Sequence, residues 1–124
     1  MGRISALPQV MLVEDEWITR EDLCAEFLEA GWSVVEASSA EEALALYQER
    51  PVDVAVIDIS LAGNMDGVEL ANVLRAVGHN GPFVFVSGGP MPKERVPTGS
   101  MFRAKPVNPP ELICATRRLL EATR

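Results

Sequence analysis

The sequence predicts an α/β fold, in which a parallel sheet of five strands is covered by helices on both faces. Strand-sized apolar runs alternate with segments of helical periodicity along the 124 residues, and such alternation is typical of βα repeats. The run Val52–Ile59 is rich in β-branched and small apolar residues and has no helical stripe, as expected of a strand buried on both faces. The chain is long enough for one hydrophobic core but not for two, so residues 1–124 are predicted to form a single domain.

The first strand is predicted at Gln9–Val13, an apolar run that ends on acidic residues. A helix from about Trp17 to Ala30 follows. Three apolar residues recur on its inner face: Leu23, Phe27 and Ala30. Gly31 ends this helix, as a glycine just past a helix commonly does, and Trp32–Ala37 is the predicted second strand.

The second helix is predicted to begin at Ser39, which has Glu42 three residues later and therefore fits a capping box. Its apolar face is formed by Ala40, Ala43, Leu44 and Tyr47. Pro51 ends the helix, and the third strand that follows ends on a carboxylate, Asp58.

Asp66 and Glu69 fit a second capping box and predict the start of a third helix. Its apolar face is formed by Leu70, Val73, Leu74 and Val77. An exit turn is expected at Gly78–Pro82, where His79 is predicted to be solvated because no metal ligand or catalytic partner accompanies it. Phe83–Val86 is the predicted fourth strand.

A fourth helix would be due next, but prolines interrupt this segment at Pro90, Pro92 and Pro97. Each proline inside a helix costs about 3 kcal/mol or more, so at most one helical turn fits between Pro92 and Pro97. The fourth helix is therefore predicted to be short or disordered.

Met101–Ala104 is the predicted last strand. Asn108 caps the final helix, with Pro109 at its first position. The inner face of that helix is formed by Leu112, Thr116 and Leu119.

The composition narrows the class of protein. A net charge of −7 without any basic stripe argues against nucleic-acid binding. The apolar runs are too short for a transmembrane helix, and the N-terminal residues lack the apolar core of a signal peptide, so we expect a cytoplasmic protein without a membrane partner. The two cysteines, Cys24 and Cys114, fit no metal-ligand spacing and are interpreted as small apolar side chains within helices.

Polar and charged side chains directly follow four of the predicted strands. They are Glu14, Asp15, Asp58, Ser87 and Lys105. Because the carboxyl ends of parallel strands meet at one edge of a sheet, we expect these groups to converge. Three carboxylates repel one another unless a cation neutralises them, and an all-oxygen set suits Mg²⁺. A carboxylate such as Asp58 can itself attack a phosphoryl group, whose oxygens the Ser87 hydroxyl, the Lys105 ammonium and the Gly88 backbone N–H could hold.

Five motifs resemble those of response-regulator receiver domains of bacterial two-component signalling, in the same order and with similar spacing. They are Val13-Glu14-Asp15-Glu16, Val56-Ile57-Asp58, Met65-Asp66-Gly67, Val86-Ser87-Gly88 and Ala104-Lys105-Pro106. The resemblance covers nearly the whole chain. It implies a flavodoxin-like, doubly wound sheet with strand order 2-1-3-4-5, and a signalling phosphoprotein rather than an enzyme.

The resemblance implies the chemistry of the site. Asp58 would accept a phosphoryl group from a histidine kinase or a phosphotransfer protein. Mg²⁺ would be the cofactor, held by Glu14, Asp15, Asp58 and the backbone carbonyl of Ser60. The Lys105–Pro106 peptide bond is often cis in the family.

The resemblance also implies a switch. The backbone at Ser60 and Gly88 would bind the phosphoryl group, Lys105 would pair with it, and Ser87 would move towards it. Phe102 matches the family's aromatic switch position, which turns inward on activation. The signal would then pass to a downstream protein partner, which the sequence does not identify.

Departures from the family pattern lie in two connections. The loop after the third strand has Ala62 where the family often has proline, and it is one residue longer than usual. The stretch between the fourth and fifth strands is a few residues short. Phe85–Gly89 resembles the "FAT GUY" motif of an often stand-alone subfamily whose fourth helix is poorly formed, although Gly89 replaces the aromatic residue of that motif.

Three other functions stay open on the residues alone. An interaction module of the same fold that no longer accepts phosphate is one, although the complete acidic set argues against it. A phosphotransferase of the haloacid-dehalogenase type needs a second acid two residues after the nucleophile, where this chain has Ser60. A flavin carrier of the flavodoxin type needs a phosphate-binding loop where Glu14 and its acidic neighbours would repel the phosphate. Trp17, beside these acids, is interpreted as a packing residue rather than a docking or gating residue.

Overall fold

The computed structural model describes residues 7–92 and 95–123, which form one sheet with helices on both faces. In that part of the chain the strands span Gln9–Val13 (β1), Ser33–Ala37 (β2), Val54–Asp58 (β3), Phe83–Ser87 (β4) and Ser100–Ala104 (β5). The helices span Trp17–Glu29 (α1), Ala40–Glu49 (α2), Gly67–Ala76 (α3) and Pro109–Ala122 (α4). None of these helices is long and apolar enough to cross a membrane. The sheet is parallel with the order β2-β1-β3-β4-β5, which confirms the predicted architecture.

The central strands are buried on both faces, because alternate residues face two separate cores. Odd-numbered residues of β1, β3 and β4, such as Ile57 and Phe85, pack with α2 and α3. Even-numbered residues, such as Leu12 and Val56, pack with α1 and α4. All five residues of β3 are buried, and each large aliphatic side chain contributes roughly 1.5–3 kcal/mol when buried. The position of Asp58 at the end of β3 is therefore fixed by the core and not by its loop.

Two helix starts form as the sequence predicts. The Asp66 carboxylate accepts a hydrogen bond from the Glu69 backbone N–H, and the Glu69 carboxylate accepts one from the Asp66 N–H, which completes a capping box before α3. The Asn108 side chain likewise accepts a hydrogen bond from the Glu111 N–H before α4. Both contacts satisfy backbone donors that a helix leaves unpaired in its first turn.

The predicted capping box at α2 is only half correct. The Ser39 hydroxyl accepts a hydrogen bond from the Glu42 N–H at 3.0 Å. The Glu42 carboxylate, however, accepts hydrogen bonds from the Ser38 backbone N–H at 2.6 Å and from the Ser38 hydroxyl. Ser38 offers two hydrogen-bond donors, its backbone N–H and its hydroxyl, whereas the expected partner, the Ser39 backbone, offers one. The Glu42 carboxylate therefore bonds to the residue before the predicted one.

Three apolar residues that were predicted to pack are exposed. Ala30 is the residue after α1, Val77 is the residue after α3 and 53% exposed, and Trp17 is the first residue of α1 and 62% exposed. Each lies at a helix end, where the chain turns away from the sheet and the helical pattern no longer indicates a face. Trp32, which was predicted to begin the second strand, precedes β2 and is buried.

The prediction that His79 is solvated is wrong. The side chain is 2% exposed and lies against the rings of Tyr47 and Phe83, with ring centroids 5.5 and 5.0 Å away. Its Nδ1 is 3.3 Å from the Tyr47 hydroxyl, and its Nε2 is 3.5 Å from the Pro82 carbonyl oxygen. Burial lowers the pKa of His79 below its usual value of 6.5, although the Pro82 carbonyl partly opposes this shift.

The connection between β4 and β5 is held by side chains of α3. The Asn72 amide donates to the Arg95 carbonyl oxygen at 2.7 Å, and the Arg75 guanidinium donates to the Thr98 carbonyl oxygen at 2.5 Å. Residues 88–92 and 95–99 form no helix, in agreement with the proline argument. The single turn allowed between Pro92 and Pro97 includes residues 93 and 94, which lie outside the described part of the chain.

The burial of His79 predicts a pH dependence of stability. The unfolded chain takes up this proton near pH 6.5, whereas the folded chain takes it up only at lower pH, so the stability that neutral His79 contributes is lost as the pH falls below about 6.5. The loss is at most about 1.4 kcal/mol per pH unit for one proton. Urea unfolding at several pH values should show this slope in the wild type and a shallower one in His79→Gln, which does not titrate. Equal slopes would contradict the prediction.

Candidate functional site

The register of the sheet brings two acids together at its carboxyl edge. Val13 pairs with Ile57 at the end of the β1–β3 ladder, so the next residues, Glu14 and Asp58, lie side by side. Both are even-numbered and face the side of the sheet that α1 covers. They are only 5% and 6% exposed, and two carboxylates buried next to each other require a positive partner.

Lys105 provides that positive partner. Ser87 pairs with Ala104 at the end of the β4–β5 ladder, and the Lys105 backbone N–H donates to the Ser87 carbonyl oxygen at 2.8 Å. The Lys105 ammonium lies 2.9 Å from Oε1 of Glu14 and 2.9 Å from Oδ2 of Asp58. One ammonium group therefore bridges both buried carboxylates. The Lys105–Pro106 peptide bond is cis, as the family resemblance implies.

Backbone N–H groups fix the other oxygens of the two acids. Oδ1 of Asp58 accepts a hydrogen bond from the Ser60 N–H at 2.9 Å, and Oε2 of Glu14 accepts one from the Glu16 N–H at 3.0 Å. Every carboxylate oxygen of this buried pair thus has a donor, and the orientation of both groups is set before any ligand binds.

Asp15 lies at the exposed rim and contacts the unusual loop after β3. Its Oδ2 accepts a hydrogen bond from the Ala62 N–H at 3.1 Å. A proline at this position, as in many members of the resembling family, has no N–H to donate. Carboxylate oxygens of Glu14, Asp15 and Asp58 come within 4.8 Å of one another. The three carboxylates among the four predicted metal ligands are therefore close enough to share one ion.

The electrostatics of the cluster favour a cation. Burial raises the pKa of Glu14, with a contribution from the negative charge of Asp58, while the hydrogen bonds from Lys105 and Glu16 oppose the shift. Burial alone would lower the pKa of Lys105, but the hydrogen bonds and charges of Glu14 and Asp58 raise it above 10.5. The cluster contains three carboxylates and one ammonium group, so its formal charge is negative. Hard oxygen donors of this kind match the preference of Mg²⁺, so the residues fit this cofactor.

The close packing of α3 against the end of β3 explains why a glycine, Gly67, follows Asp66 at the start of α3. A Cβ atom at Gly67 would lie 2.3 Å from the Asp58 carbonyl oxygen and 2.9 Å from the Ile59 Cα. The Gly67 N–H instead donates to the Ile59 carbonyl oxygen at 3.0 Å. Only glycine allows the first turn of α3 to pack this closely against the end of β3.

The two predicted switch residues lie on the other side of the cluster. Ser87 is 2% exposed, and its Oγ accepts a hydrogen bond from the Gly89 N–H at 3.0 Å. The Phe102 ring is partly buried and stacks on Phe85, with centroids 5.5 Å apart. Gly88, between Ser87 and Gly89, is exposed. The hydroxyl is thus engaged with its own loop and not with the acids.

A cavity of about 420 Å³ extends from the acids along α1. Its walls include Glu14, Asp58 and Lys105 at one end and apolar residues such as Val107 and Pro109 further along. Trp17 and its neighbour Ile18, at the start of α1, are 62% and 63% exposed. The packing interpretation of Trp17 is therefore wrong, and an apolar surface lies beside the acidic cluster.

Arg20 also lines the cavity, although it was not among the predicted site residues. Its guanidinium donates to the Glu14 carbonyl oxygen at 2.8 Å. Helical side chains point back towards the helix N-terminus, so an arginine in the first turn after the acids was a signal for this contact.

Comparison with known proteins gives a consistent result. The family model described as the response regulator receiver domain matches residues 10–117. The chain is 31% identical over 120 residues to the aerobic respiration control protein ArcA of Escherichia coli strain K12, covering 94% of this chain and 50% of ArcA. It is 30% identical over 130 residues to the transcriptional regulatory protein AruR of Pseudomonas aeruginosa, covering 98% and 52%. The chain thus spans about half the length of these relatives.

Solved structures agree with the family match. A response regulator receiver protein from Sinorhizobium medicae superposes with a TM-score of 0.87 at 28% identity, covering 95% of this chain and 98% of that one. The receiver domain of the Francisella response regulator 1452 gives a TM-score of 0.83 at 28% identity, covering 94% and 99%. The similarity extends over nearly all of both structures.

Proposed function

The chain belongs to the response regulator receiver domain family, and on this premise we propose that it is a phosphoacceptor that uses Asp58. The phosphoryl group comes from a histidine kinase or a phosphotransfer protein, and the reaction depends on Mg²⁺. The observation that carries the proposal is the contact of Asp58 with both the Ser60 N–H and the Lys105 ammonium. These donors surround the carboxylate with groups that can also bind phosphoryl oxygens.

In the proposed reaction an oxygen of the Asp58 carboxylate attacks the phosphorus atom of the donor. A P–O bond forms while the P–N bond to the donor imidazole breaks, and the imidazole leaves with the electron pair. Lys105 then pairs with the phosphoryl oxygens, the Ser60 and Gly88 N–H groups donate to them, and the Ser87 hydroxyl leaves Gly89 to donate as well. All of these groups lie at, or within two residues of, the carboxyl end of a strand, so they are already held near Asp58 before the reaction.

Glu14, Asp15, Asp58 and the Ser60 carbonyl oxygen are the groups that would hold Mg²⁺. When bound, the ion supplies positive charge to the carboxylates and to the phosphoryl oxygens. Without the ion, the Lys105 ammonium contacts both Glu14 and Asp58 and offsets part of their negative charge. We further propose a single receiver domain over residues 1–124 and membership of the FAT GUY subfamily, on the motif Phe85–Gly89.

The phosphoacceptor role predicts labelling at one residue. With acetyl phosphate and Mg²⁺, intact mass spectrometry should show one added phosphoryl group on the wild type and none on Asp58→Asn, and removal of Mg²⁺ by EDTA should abolish the gain. Asp53→Asn is the matched control, because Asp53 lies before β3, at the opposite edge of the sheet, where it accepts a hydrogen bond from the Gln9 N–H. It should label like the wild type. No gain in the wild type, or an equal gain in Asp58→Asn, would favour an interaction module that takes no phosphate.

The exposed residues Trp17 and Ile18 fit a docking surface for the phosphodonor protein. The donor has to approach Asp58 through the open side of the cluster, and these two exposed residues begin α1 directly after Glu16, which lines the cavity at the acids. Large aromatic residues often dominate the binding energy of such interfaces, at about 2 kcal/mol or more each. We therefore propose that the kinase or phosphotransfer protein covers Trp17.

If Trp17 is a docking residue, its replacement should affect phosphotransfer from a protein donor but not from a small-molecule donor. Trp17→Ala should react with acetyl phosphate as the wild type does, because a small donor needs no docking surface. Phosphotransfer from a phosphorylated histidine kinase of the same organism should fall by about tenfold or more, mainly through KM. Leu28→Ala is the control, since Leu28 is also exposed on α1 but lies at its far end. Unchanged transfer to Trp17→Ala would disprove the docking role.

The output is proposed to pass through the segment between β4 and β5 to a downstream protein. When the Ser87 hydroxyl leaves Gly89, Phe102 can turn inward beside it. Val96 packs against the same core as Phe102, so the segment can close over the ring. The segment contains no helix in its described residues and is fastened by a few hydrogen bonds, which is the kind of region that a small free energy can reorder.

This switch predicts a change in amide exchange. Beryllofluoride with Mg²⁺, a mimic of the phosphoryl group, should slow exchange in residues 95–99 relative to Mg²⁺ alone. Asp58→Asn should show no difference between the two conditions. The turn at residues 30–32, which precedes β2 at the far end of the strand order from β5, serves as the internal control and should exchange at the same rate throughout. Equal protection of residues 95–99 in both states would contradict the proposed output.

A further inference from the structure

Arg20 connects α1 to the acidic turn and to β2. Its Nη1 donates to the Glu14 carbonyl oxygen at 2.8 Å, and its Nε lies 3.3 Å from Oε1 of Glu36. The side chain is only 15% exposed although it carries a charge. None of the chemical steps proposed above uses this residue.

The contact with Glu14 lies at the peptide that joins two of the acids. The backbone N–H of Glu14 donates to the Ala37 carbonyl oxygen at 3.1 Å, which continues the β1–β2 ladder. After Glu14 the strand pairing ends, and the chain turns through Asp15 and Glu16 into α1. A guanidinium that donates to the Glu14 carbonyl oxygen fixes the orientation of the peptide plane between Glu14 and Asp15.

We propose that Arg20 is a positioning residue for the cation site, which sets the Glu14–Asp15 peptide so that both carboxylates face one ion. The inference rests on the proposed function, since it assumes that Glu14, Asp15 and Asp58 bind a divalent cation. Asp15 has an exposed side chain that accepts a hydrogen bond from the Ala62 N–H, and its direction also depends on the peptide that precedes it.

Glu36 holds Arg20 in this orientation. The guanidinium is planar and can donate from separate nitrogens to a carbonyl oxygen and to a carboxylate at once. Glu36 also offsets the positive charge of Arg20, which would otherwise oppose a cation at the nearby acids. Arg20 can therefore orient the Glu14–Asp15 peptide while Glu36 reduces the repulsion between the Arg20 charge and a bound cation.

The direction in which Mg²⁺ affinity changes when Arg20 is replaced distinguishes a positioning role from an effect of charge alone. A positive group near the site repels a cation, so on charge alone the removal of Arg20 would tighten Mg²⁺ binding. If Arg20 positions the acids, its removal weakens Mg²⁺ binding. Arg20→Lys keeps the charge but cannot reproduce the two-sided contact, so it isolates the geometry.

The test is a calorimetric titration of the unphosphorylated chain with Mg²⁺. We expect the Kd to rise by about tenfold or more in Arg20→Lys and Arg20→Met, as for other residues that orient metal ligands. Glu36→Gln leaves the Glu14 contact in place and should give a smaller rise. Arg117→Lys is the matched control, because Arg117 also donates to a backbone carbonyl oxygen, that of Ala30, but on α4 and away from the acids. Its Kd should equal that of the wild type.

A second measurement follows acetyl phosphate labelling as a function of Mg²⁺. The rate of the Arg20 variants should approach the wild-type rate at saturating Mg²⁺, because Asp58 and Lys105 are unchanged. A general loss of structure would lower that limit as well, and urea unfolding identifies any variant that is not folded. Arg20→Lys is the decisive variant if Arg20→Met does not fold.

The outcomes are distinct. Wild-type binding of Mg²⁺ with an unchanged Kd in Arg20→Lys would overturn the positioning role and leave the proposed function intact. Tighter binding in Arg20→Met would show that Arg20 acts only through its charge. A wild type that binds no Mg²⁺ would overturn the proposed function and this inference together.

Discussion

The structure depends on the ammonium of Lys105, which lies between two buried carboxylates. Glu14 and Asp58 are neighbours in adjacent strands, and without a positive partner their burial would cost several kcal/mol, as for other uncompensated buried charges (about 3–5 kcal/mol). Lys105 contacts both at 2.9 Å. Asp15 adds a third carboxylate at the rim, so formal negative charge is left over. The Lys105 ammonium thus offsets part of the charge of the two buried acids and lets them remain buried. The negative charge that is left attracts a divalent cation, which can in turn attract a phosphoryl group.

This arrangement follows from the sheet more than from the loops. The pairing of Val13 with Ile57 and of Ser87 with Ala104 decides which residues extend beyond the ladders. A slip of one residue would turn Asp58 to the opposite face of the sheet. The apolar residues of β3 prevent such a slip, because each would lose its place in one of the two cores. Packing on both faces of the sheet therefore protects the geometry of a polar site at its edge.

The two edges of the sheet differ in how firmly they are built. At the edge opposite the acids, His79, Tyr47 and Phe83 form a buried aromatic group. The connection to β5, which begins next to the acids after Ser87, is instead fastened by single hydrogen bonds such as that from Asn72 to the Arg95 carbonyl oxygen. A region with few contacts changes its conformation at low cost. A switch beside the phosphoacceptor can therefore act on this segment while the rest of the fold stays unchanged.

The sequence by itself determined the order of the elements, the residues that follow each strand, and the caps at Asp66 and Asn108. Hydrophobic periodicity and the common direction of parallel strands are local or general properties, so they can be read without coordinates. Only the tertiary structure decided that His79 is buried, that Trp17 is exposed, and that Arg20 pairs with Glu36 of β2. The environment of a side chain in a turn or at a helix end depends on residues far away in the chain, such as Tyr47 for His79, 32 positions apart. No local pattern records that proximity, because packing of the whole sheet creates it.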